Sequence, residues 1–151
     1  MESETRKPDI MFQLPVAISL HGQVLPAGSS FQINAPHPAY LVDRGGGICR
    51  FRDVKVRPFN NGNAPSGSFP VNVYRNNQRV SGKSIHLDAK SGLPGDGLHR
   101  FILKLAEGDN VVRVELDSDQ MIDEFREDNN VLTVNVSVNF PCKKPPKTSF
   151  D

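Results

Sequence analysis

The feature that most constrains the fold of this chain is an alternation of apolar and polar side chains in its second half. In residues 131–139 apolar side chains occupy every second position, and the segment contains neither glycine nor proline. The apolar positions that define this face are Leu132, Val134, Val136 and Val138. Residues 110–117 follow the same pattern with Val112, Val114 and Leu116. Because side chains alternate between the two faces of a β-strand, both segments are predicted to be strands with one buried face.

Short alternating segments continue upstream and are separated by residues that favour turns. Residues 98–105, 69–74 and 54–58 alternate in the same way, and the chain contains 12 glycines and 12 prolines. No amphipathic helix is predicted beyond a single turn within residues 119–128. Several short strands joined by turns are typical of a β-sandwich, and a length of 151 residues suits one domain. The sequence therefore predicts a single all-β domain.

The charge balance and the short motifs argue against several classes of function. The chain has 18 basic and 17 acidic residues, so overall charge does not favour binding to nucleic acid or to an anionic membrane. No apolar run is long enough for a membrane-spanning helix, and nucleophile-elbow, Walker and dinucleotide motifs are absent from the sequence. The four histidines, His21, His37, His86 and His99, lack the paired spacing of a metal site. We therefore predict that the chain is not an enzyme.

Residues 10–20 form an apolar stretch near the start of the chain. They follow Arg6 and Lys7, as the apolar region of a short signal peptide would, but Gln13 and Pro15 interrupt the pattern. We predict a first strand here rather than a signal peptide. An exported form of the protein is expected to carry its leader outside this chain.

A short acidic motif precedes the last predicted strand. It consists of an apolar residue followed by Glu124, Glu127 and the pair Asn129 and Asn130. This motif resembles the CARDB family (cell-adhesion-related domain found in bacteria). The resemblance extends to the start of the first strand, at Pro8, Asp9 and Ile10, and to the turn that contains Asn61 and Gly62. It covers residues 8–20 loosely and residues 48–139 well.

The resemblance implies a seven-stranded immunoglobulin-like β-sandwich, built from two antiparallel sheets with Greek-key connections. It also implies a non-catalytic module of exported bacterial or archaeal proteins that serves in adhesion, spacing or domain presentation. Its partners would be neighbouring domains, a cell-surface protein or a glycan, and the isolated domain is expected to be monomeric. The motif residues to which it gives a structural role are Asn61, Gly62, Glu124, Glu127, Asn129 and Asn130.

The predicted domain occupies residues 8–140. It follows a disordered start at residues 1–7 and precedes a tail or linker at residues 141–151, which is rich in proline and lysine. Residues 34–47 form an insertion where the family normally passes quickly between strands. Within residues 21–47 only Phe31 and Ile33 suggest a strand. This region is either a functional excursion or a flap over the sandwich.

The segment between the last two predicted strands is strongly acidic and is a candidate Ca²⁺ site. Its carboxylates are Asp117, Asp119, Asp123, Glu124, Glu127 and Asp128. Carboxylates that converge in a loop can bind Ca²⁺, which takes six to eight oxygen ligands, although the spacing does not fit an EF-hand. Alternatively, Glu124 and Glu127 bind backbone N–H groups of the turn. A module that binds Ca²⁺ or carbohydrate through loops at one end is therefore the alternative function.

Cys49 and Cys142 are the only cysteines in the chain. In a seven-stranded sandwich Cys49 would open the second strand and Cys142 would follow the seventh, so both would lie at the same end. A disulfide is therefore compatible with the fold in an oxidising compartment, and buried free thiols are the alternative.

The second predicted strand has an unusual face, because Phe51, Lys55, Arg57 and Phe59 share the parity of Asp53. Aromatic and basic side chains that alternate on a sheet can bind single-stranded nucleic acid, which is a third hypothesis. The alternative is that residues 21–47 cover the two phenylalanine rings. The parity also predicts that the buried part of this strand begins only near Val54.

Overall fold

A computed structural model describes residues 7–116 and 130–143, and it contains thirteen β-strands and no helix within those residues. The strands are β1 (Ile10–Phe12), β2 (Ala17–Leu20), β3 (Gln23–Pro26), β4 (Ser30–Ile33), β5 (Leu41–Gly45), β6 (Ile48–Val56), β7 (Pro58–Asn60), β8 (Ser68–Arg75), β9 (Gln78–His86), β10 (Ser91–Gly92), β11 (His99–Ala106), β12 (Gly108–Leu116) and β13 (Val131–Val138). The predictions for residues 1–6, 117–129 and 144–151 lie outside the described residues, including the helical turn, the acidic motif up to Asn129 and most of both termini.

Two five-stranded sheets enclose the apolar core. One has the order β11-β6-β2-β3, with β5 also paired to β6, and the other has the order β4-β13-β12-β8-β9. A small third sheet, β1-β7-β10, lies beside them. The alternating valines of β12 and β13 point inward as predicted, and Val112, Val114 and Val134 are completely buried. They pack in one cluster with Phe51 and Leu103 of the other large sheet.

The all-β immunoglobulin-like class predicted from the sequence is confirmed, but two of its details are wrong. The described residues form more than seven strands, because residues 21–47 contribute β3, β4 and β5 and because Pro15, which lacks an N–H group, separates β1 from β2. The sheets are also not purely antiparallel, since β4 pairs with β13 in parallel, with Ser30 opposite Asn135.

Residues 21–47 contain more regular structure than the sequence indicated. The strand suggested by Phe31 and Ile33 is β4, and β3 and β5 are additional strands that pair with β2 and β6. Neither additional strand is mostly buried, because β3 has one buried residue and β5 has none, so their sequences lack the apolar alternation that reveals a half-buried strand. The region is therefore part of the sheets and covers the start of β6.

The predicted parity of β6 is wrong because the strand contains a β-bulge. Asp53 has a φ of 62°, and the pairing with β11 shifts at this point by one residue. A bulge adds one residue to one strand of a pair, so the faces exchange beyond it. Phe51 and Val54 consequently both point into the core, each with no exposed surface, while Lys55 and Arg57 point outward. Phe51 therefore does not share the face of Lys55 and Arg57, and the aromatic and basic face lacks this residue.

Substitution of Asp53 tests whether the bulge depends on its left-handed backbone. Asp53→Val is expected to be about 1–2 kcal/mol less stable than Asp53→Gly, because a β-branched residue tolerates positive φ poorly. Both variants remove the same exposed ion pairs to Lys55 and Arg100, so their difference isolates the backbone effect. Urea denaturation of the two variants measures it, and equal stabilities would contradict the bulge.

Candidate functional sites

A buried asparagine organises one end of the sandwich. Asn60, at the end of β7, has no exposed surface. Its Oδ1 accepts hydrogen bonds from the backbone N–H groups of Asp9 and Gly62, both at 2.9 Å. Its Nδ2 donates to the carbonyl oxygen of Ala64 at 2.8 Å and lies 3.5 Å from that of Leu87. One side chain therefore joins the first strand of the domain to two later loops.

Asn61 and Gly62, the two motif residues after Asn60, place their turn in contact with the start of the first strand. The backbone N–H of Asn61 donates to the carbonyl oxygen of Asp9 at 2.9 Å, while the Asn61 side chain is exposed. A Cβ atom on Gly62 would lie 2.3 Å from the Lys7 carbonyl oxygen and 2.5 Å from the Asp9 nitrogen. Only glycine allows so close an approach of two backbones. The sequence indicated this turn, but the residue whose side chain makes the hydrogen bonds is Asn60.

Asp9 places an unusual carboxylate at the same end of the molecule. The residue is only 6% exposed, and its buried Oδ1 atom has no hydrogen-bond partner among the described residues. Its backbone is held on both sides, because its N–H donates to Asn60 and its carbonyl oxygen accepts from Asn61. Removing a carboxylate oxygen from water without a partner is unfavourable, so this atom is a candidate ligand for a cation.

The six acidic residues of the candidate Ca²⁺ site, like Glu124, Glu127 and Asn129 of the family motif, lie outside the described residues. The strand ends on either side show where that segment is attached. Leu116 pairs with Val71 near the start of β8, and its N–H donates to the carbonyl oxygen of the buried Asn130. Leu87, which follows β9, contacts Asn60. The acidic segment is therefore attached to the sheet end that also carries the Asn60 turn.

A disulfide joins Cys49, near the start of β6, to Cys142, away from the Asn60 turn. Their Cα atoms are 5.0 Å apart, and both side chains are completely buried. Cys49 lies in β6, and Cys142 follows β13, where its N–H donates to Glu107 at 2.7 Å. The bond links the two large sheets across the core and closes a loop with a sequence separation of 93. There are no free cysteines.

His21 and His37 pack together with Tyr40 near the β2–β3 turn. The rings of His21 and His37 lie 6.2 Å apart, and each is within 5.4 Å of the Tyr40 ring. The Nε2 atom of His21 is buried and has no hydrogen-bond partner in the described part of the chain. Burial, with a smaller effect of His37, lowers the pKa of His21. The Nδ1 atom of His37 accepts a hydrogen bond from the N–H of Ala39 at 3.0 Å. These contacts hold residues 37–40 against the β2–β3 turn.

The buried His99 is expected to make the protein less stable in mild acid. Burial, with a smaller effect of the positive charge of Lys83, lowers the pKa of His99 from its ordinary value of 6.5. Below that value the unfolded chain binds a proton that the folded state resists, so the free energy of unfolding falls as pH decreases. Denaturation on both sides of pH 6.5 should show this fall, and His99→Phe should reduce it. His86→Gln, which changes an exposed histidine, is the control, and an unchanged slope in His99→Phe would contradict the assignment.

The described residues contain no group of three or more histidine, cysteine, aspartate or glutamate side chains placed to hold a metal ion. In that part of the chain there is also no helix that could span a membrane. What the described arrangement provides is a cross-linked sandwich, a hydrogen-bonded turn with one unpartnered carboxylate, and exposed sheet edges.

The fold is similar to those of two archaeal proteins of known structure. One is the CARDB domain of a Pyrococcus furiosus protein in complex with di-metal ions, with a TM-score of 0.53 and 20% identity over 90% of this chain and 97% of that chain. The other is a domain of a putative cell surface protein from Methanosarcina acetivorans, with a TM-score of 0.52 and 16% identity over 87% of this chain and 92% of that chain. At these identities the similarity concerns the fold.

Comparison with protein families identifies the sequence relationship. No curated protein matches the chain significantly. The family model named CARDB matches residues 53–134, which is more than half of the chain and extends from the β6 bulge to the middle of β13. The chain belongs to the CARDB family.

Proposed function

We propose that this chain is a non-catalytic, extracytoplasmic β-sandwich module that spaces or presents neighbouring domains, or contacts a partner protein or glycan at a cell surface. The observation that carries the proposal is the buried disulfide between Cys49 and Cys142. Disulfides form and persist in oxidising compartments and are rare in the cytosol. The similarity to a domain of a putative cell surface protein supports the same context.

The position of the disulfide suits such a role. The disulfide ties the segment after β13 to β6, so a pulling force on the chain after residue 142 passes directly into the core. We propose that residues 8–140 act as one unit and that the ends of the chain serve as connections to other domains. The unit is expected to be monomeric when isolated.

The compartment is tested in the source cells. Thiols are blocked with N-ethylmaleimide under denaturing conditions during lysis, and the mass of the protein is measured before and after reduction. We expect no label on either cysteine and degradation of an appended C-terminal tag by proteinase K added to intact cells. Two labelled cysteines together with a protected tag would overturn the extracytoplasmic role.

A second candidate function is Ca²⁺ binding, and the observation that favours it is the buried, unpartnered Oδ1 atom of Asp9. The acidic segment at residues 117–128 is attached to the same end of the sheet and carries six carboxylates. The Pyrococcus furiosus domain was solved in complex with di-metal ions. Asp9 and the acidic segment would supply the oxygen ligands that Ca²⁺ prefers.

Ca²⁺ titration of chelator-treated protein, followed by amide NMR, tests this function. We expect saturable shifts at Asp9, Asn60 and residues 117–128, with a dissociation constant of about 10⁻⁴–10⁻³ M, as in extracellular Ca²⁺ modules. Asp9→Asn should weaken binding about tenfold, whereas Asp43→Asn, which changes an exposed carboxylate paired with Arg50, should not. Absence of saturable shifts would overturn the Ca²⁺ function.

A further inference from the structure

Two sheet edges leave backbone groups without a strand partner. Within the described residues β9 pairs only with β8, and β11 pairs only with β6, although the carbonyl oxygen of Lys104 in β11 accepts a hydrogen bond from the Arg75 side chain at 3.2 Å. The free edges of β9 and β11 lie next to each other and border a groove of about 410 Å³, which we call the edge groove. Its lining includes Val80, Gly82, Lys83, Phe101, Ile102 and Lys104.

The outward side chains of β11 alternate between basic and apolar. Arg100, Ile102 and Lys104 are exposed, while Leu103 and Leu105 between and beyond them are completely buried. Ile102 is 42% exposed, which is high for a large apolar side chain in the middle of a strand. On a strand added beside β11, residues at every second position would lie opposite these three side chains.

The edge groove is electropositive. No carboxylate among the described residues forms an ion pair with Lys83 or Lys104, whereas Arg100 is paired with Asp96 at 2.5 Å and with Asp53 at 3.5 Å. The charge of Lys83 contributes to the lowered pKa of His99, which also lines the groove. Six of the 17 acidic residues, but only one basic residue, fall in residues 117–128. The remainder of the chain therefore has an excess of positive charge, part of which lies at this edge.

We propose that the edge groove binds an extended acidic peptide, which adds to β11 as a further strand. Acidic side chains of the peptide lie opposite Arg100 and Lys104, and an apolar side chain lies opposite Ile102. The peptide segment thus has the pattern acidic–x–apolar–x–acidic. This inference specifies a contact surface for the module proposed above and rests on that function for its biological use.

The strand edge distinguishes a peptide from other polyanions. β-Augmentation uses main-chain hydrogen bonds for affinity and alternate side chains for specificity. A sulfated polysaccharide or a nucleic acid would meet the same positive charges but has no peptide N–H groups to pair with the edge. Exposed β-edges usually carry charges that prevent unspecific pairing, and Lys83 and Lys104 select an acidic strand in the same way.

The test uses a blocked peptide of sequence Thr-Glu-Thr-Val-Thr-Glu-Thr and the whole chain with its disulfide intact. Amide NMR should show saturable shifts at residues 99–104 that weaken as salt increases, because exposed charges are screened. Lys104→Glu should weaken binding about tenfold, and Lys83→Glu should act in the same direction. Lys90→Glu makes the same charge change at the Asn61 turn and should leave binding unchanged.

A second peptide, methylated on alternate backbone nitrogens, separates the two modes of binding. It keeps both carboxylates and is expected to lose binding, because it cannot complete a strand ladder. Strand addition would be overturned if the methylated peptide bound as tightly as the first peptide. It would also be overturned if heparin displaced the methylated and the unmethylated peptide equally. The absence of binding of the first peptide to the folded protein would also overturn strand addition. The spacer function would then stand, because it is tested separately by thiol blocking and by proteinase K treatment of intact cells.

Discussion

Replacing both cysteines with alanine is expected to lower the free energy of unfolding by about 4–5 kcal/mol, the largest effect of any substitution considered for this protein. The bond between Cys49 and Cys142 closes a loop with a sequence separation of 93, and a long loop restricts the unfolded chain strongly. Both side chains are completely buried, so alanine, which adds no polar group to the core, is the appropriate replacement. Guanidinium denaturation of the oxidised protein and of the double variant measures the difference.

Reduction of the natural chain provides an independent measurement. The reduced protein should resemble Cys49→Ala/Cys142→Ala in its denaturation midpoint, and reductant should leave the double variant unaffected. A loss of less than about 1 kcal/mol in both experiments would contradict the role assigned to the bond. The comparison also bears on function, since a module that depends on this bond would be poorly stable in a reducing compartment.

The sequence predicted the strands that have one buried face and one solvent-exposed face. β12 and β13 are examples, because Val112, Val114 and Val134 alternate with polar residues and line the core as expected. β3 and β5 were missed because they are short and have only one buried residue between them, so no apolar alternation marks them. The hydrophobic pattern of a sequence indicates which strand faces are buried. It does not reveal strands that are stabilised by backbone pairing alone.

The bulge at Asp53 shows a second limit of pattern analysis. A single residue at positive φ exchanges the faces of β6, and aspartate is only weakly specific for that conformation. The sequence therefore placed Phe51 on the face of Lys55, whereas the structure buries Phe51 in the core. A glycine at this position would have been a clearer signal of a bulge.

The site at the Asn60 turn was predicted in outline. The order of Asn61 and Gly62 indicated a turn, but three asparagines lie within residues 60–63, and sequence alone does not show which of them is buried. Burial of Asn60 arises from contacts with Asp9 and Leu87, which are distant in sequence. Such contacts follow from the tertiary fold and have no local signature.

Asn60→Ala is expected to lower the free energy of unfolding by about 3–4 kcal/mol. The substitution removes the acceptor of two buried backbone N–H groups, those of Asp9 and Gly62, and the donor to the Ala64 carbonyl oxygen. Each buried polar group left without a partner costs about 1–3 kcal/mol, so the combined loss exceeds that of an ordinary surface substitution several-fold. Urea denaturation monitored by circular dichroism measures the change.

The adjacent residue provides a matched control, because Asn61 has the same side chain but is exposed and contributes to the turn through its backbone N–H. Asn61→Ala should therefore change stability by less than about 0.5 kcal/mol. Asn60→Asp retains one acceptor oxygen but places the other carboxylate oxygen against the Ala64 carbonyl oxygen in a fully buried site, so at neutral pH it should be no more stable than Asn60→Ala. Similar losses for Asn60→Ala and Asn61→Ala would show that the turn is stabilised by its backbone and that Asn60 does not connect the first strand to the later loops.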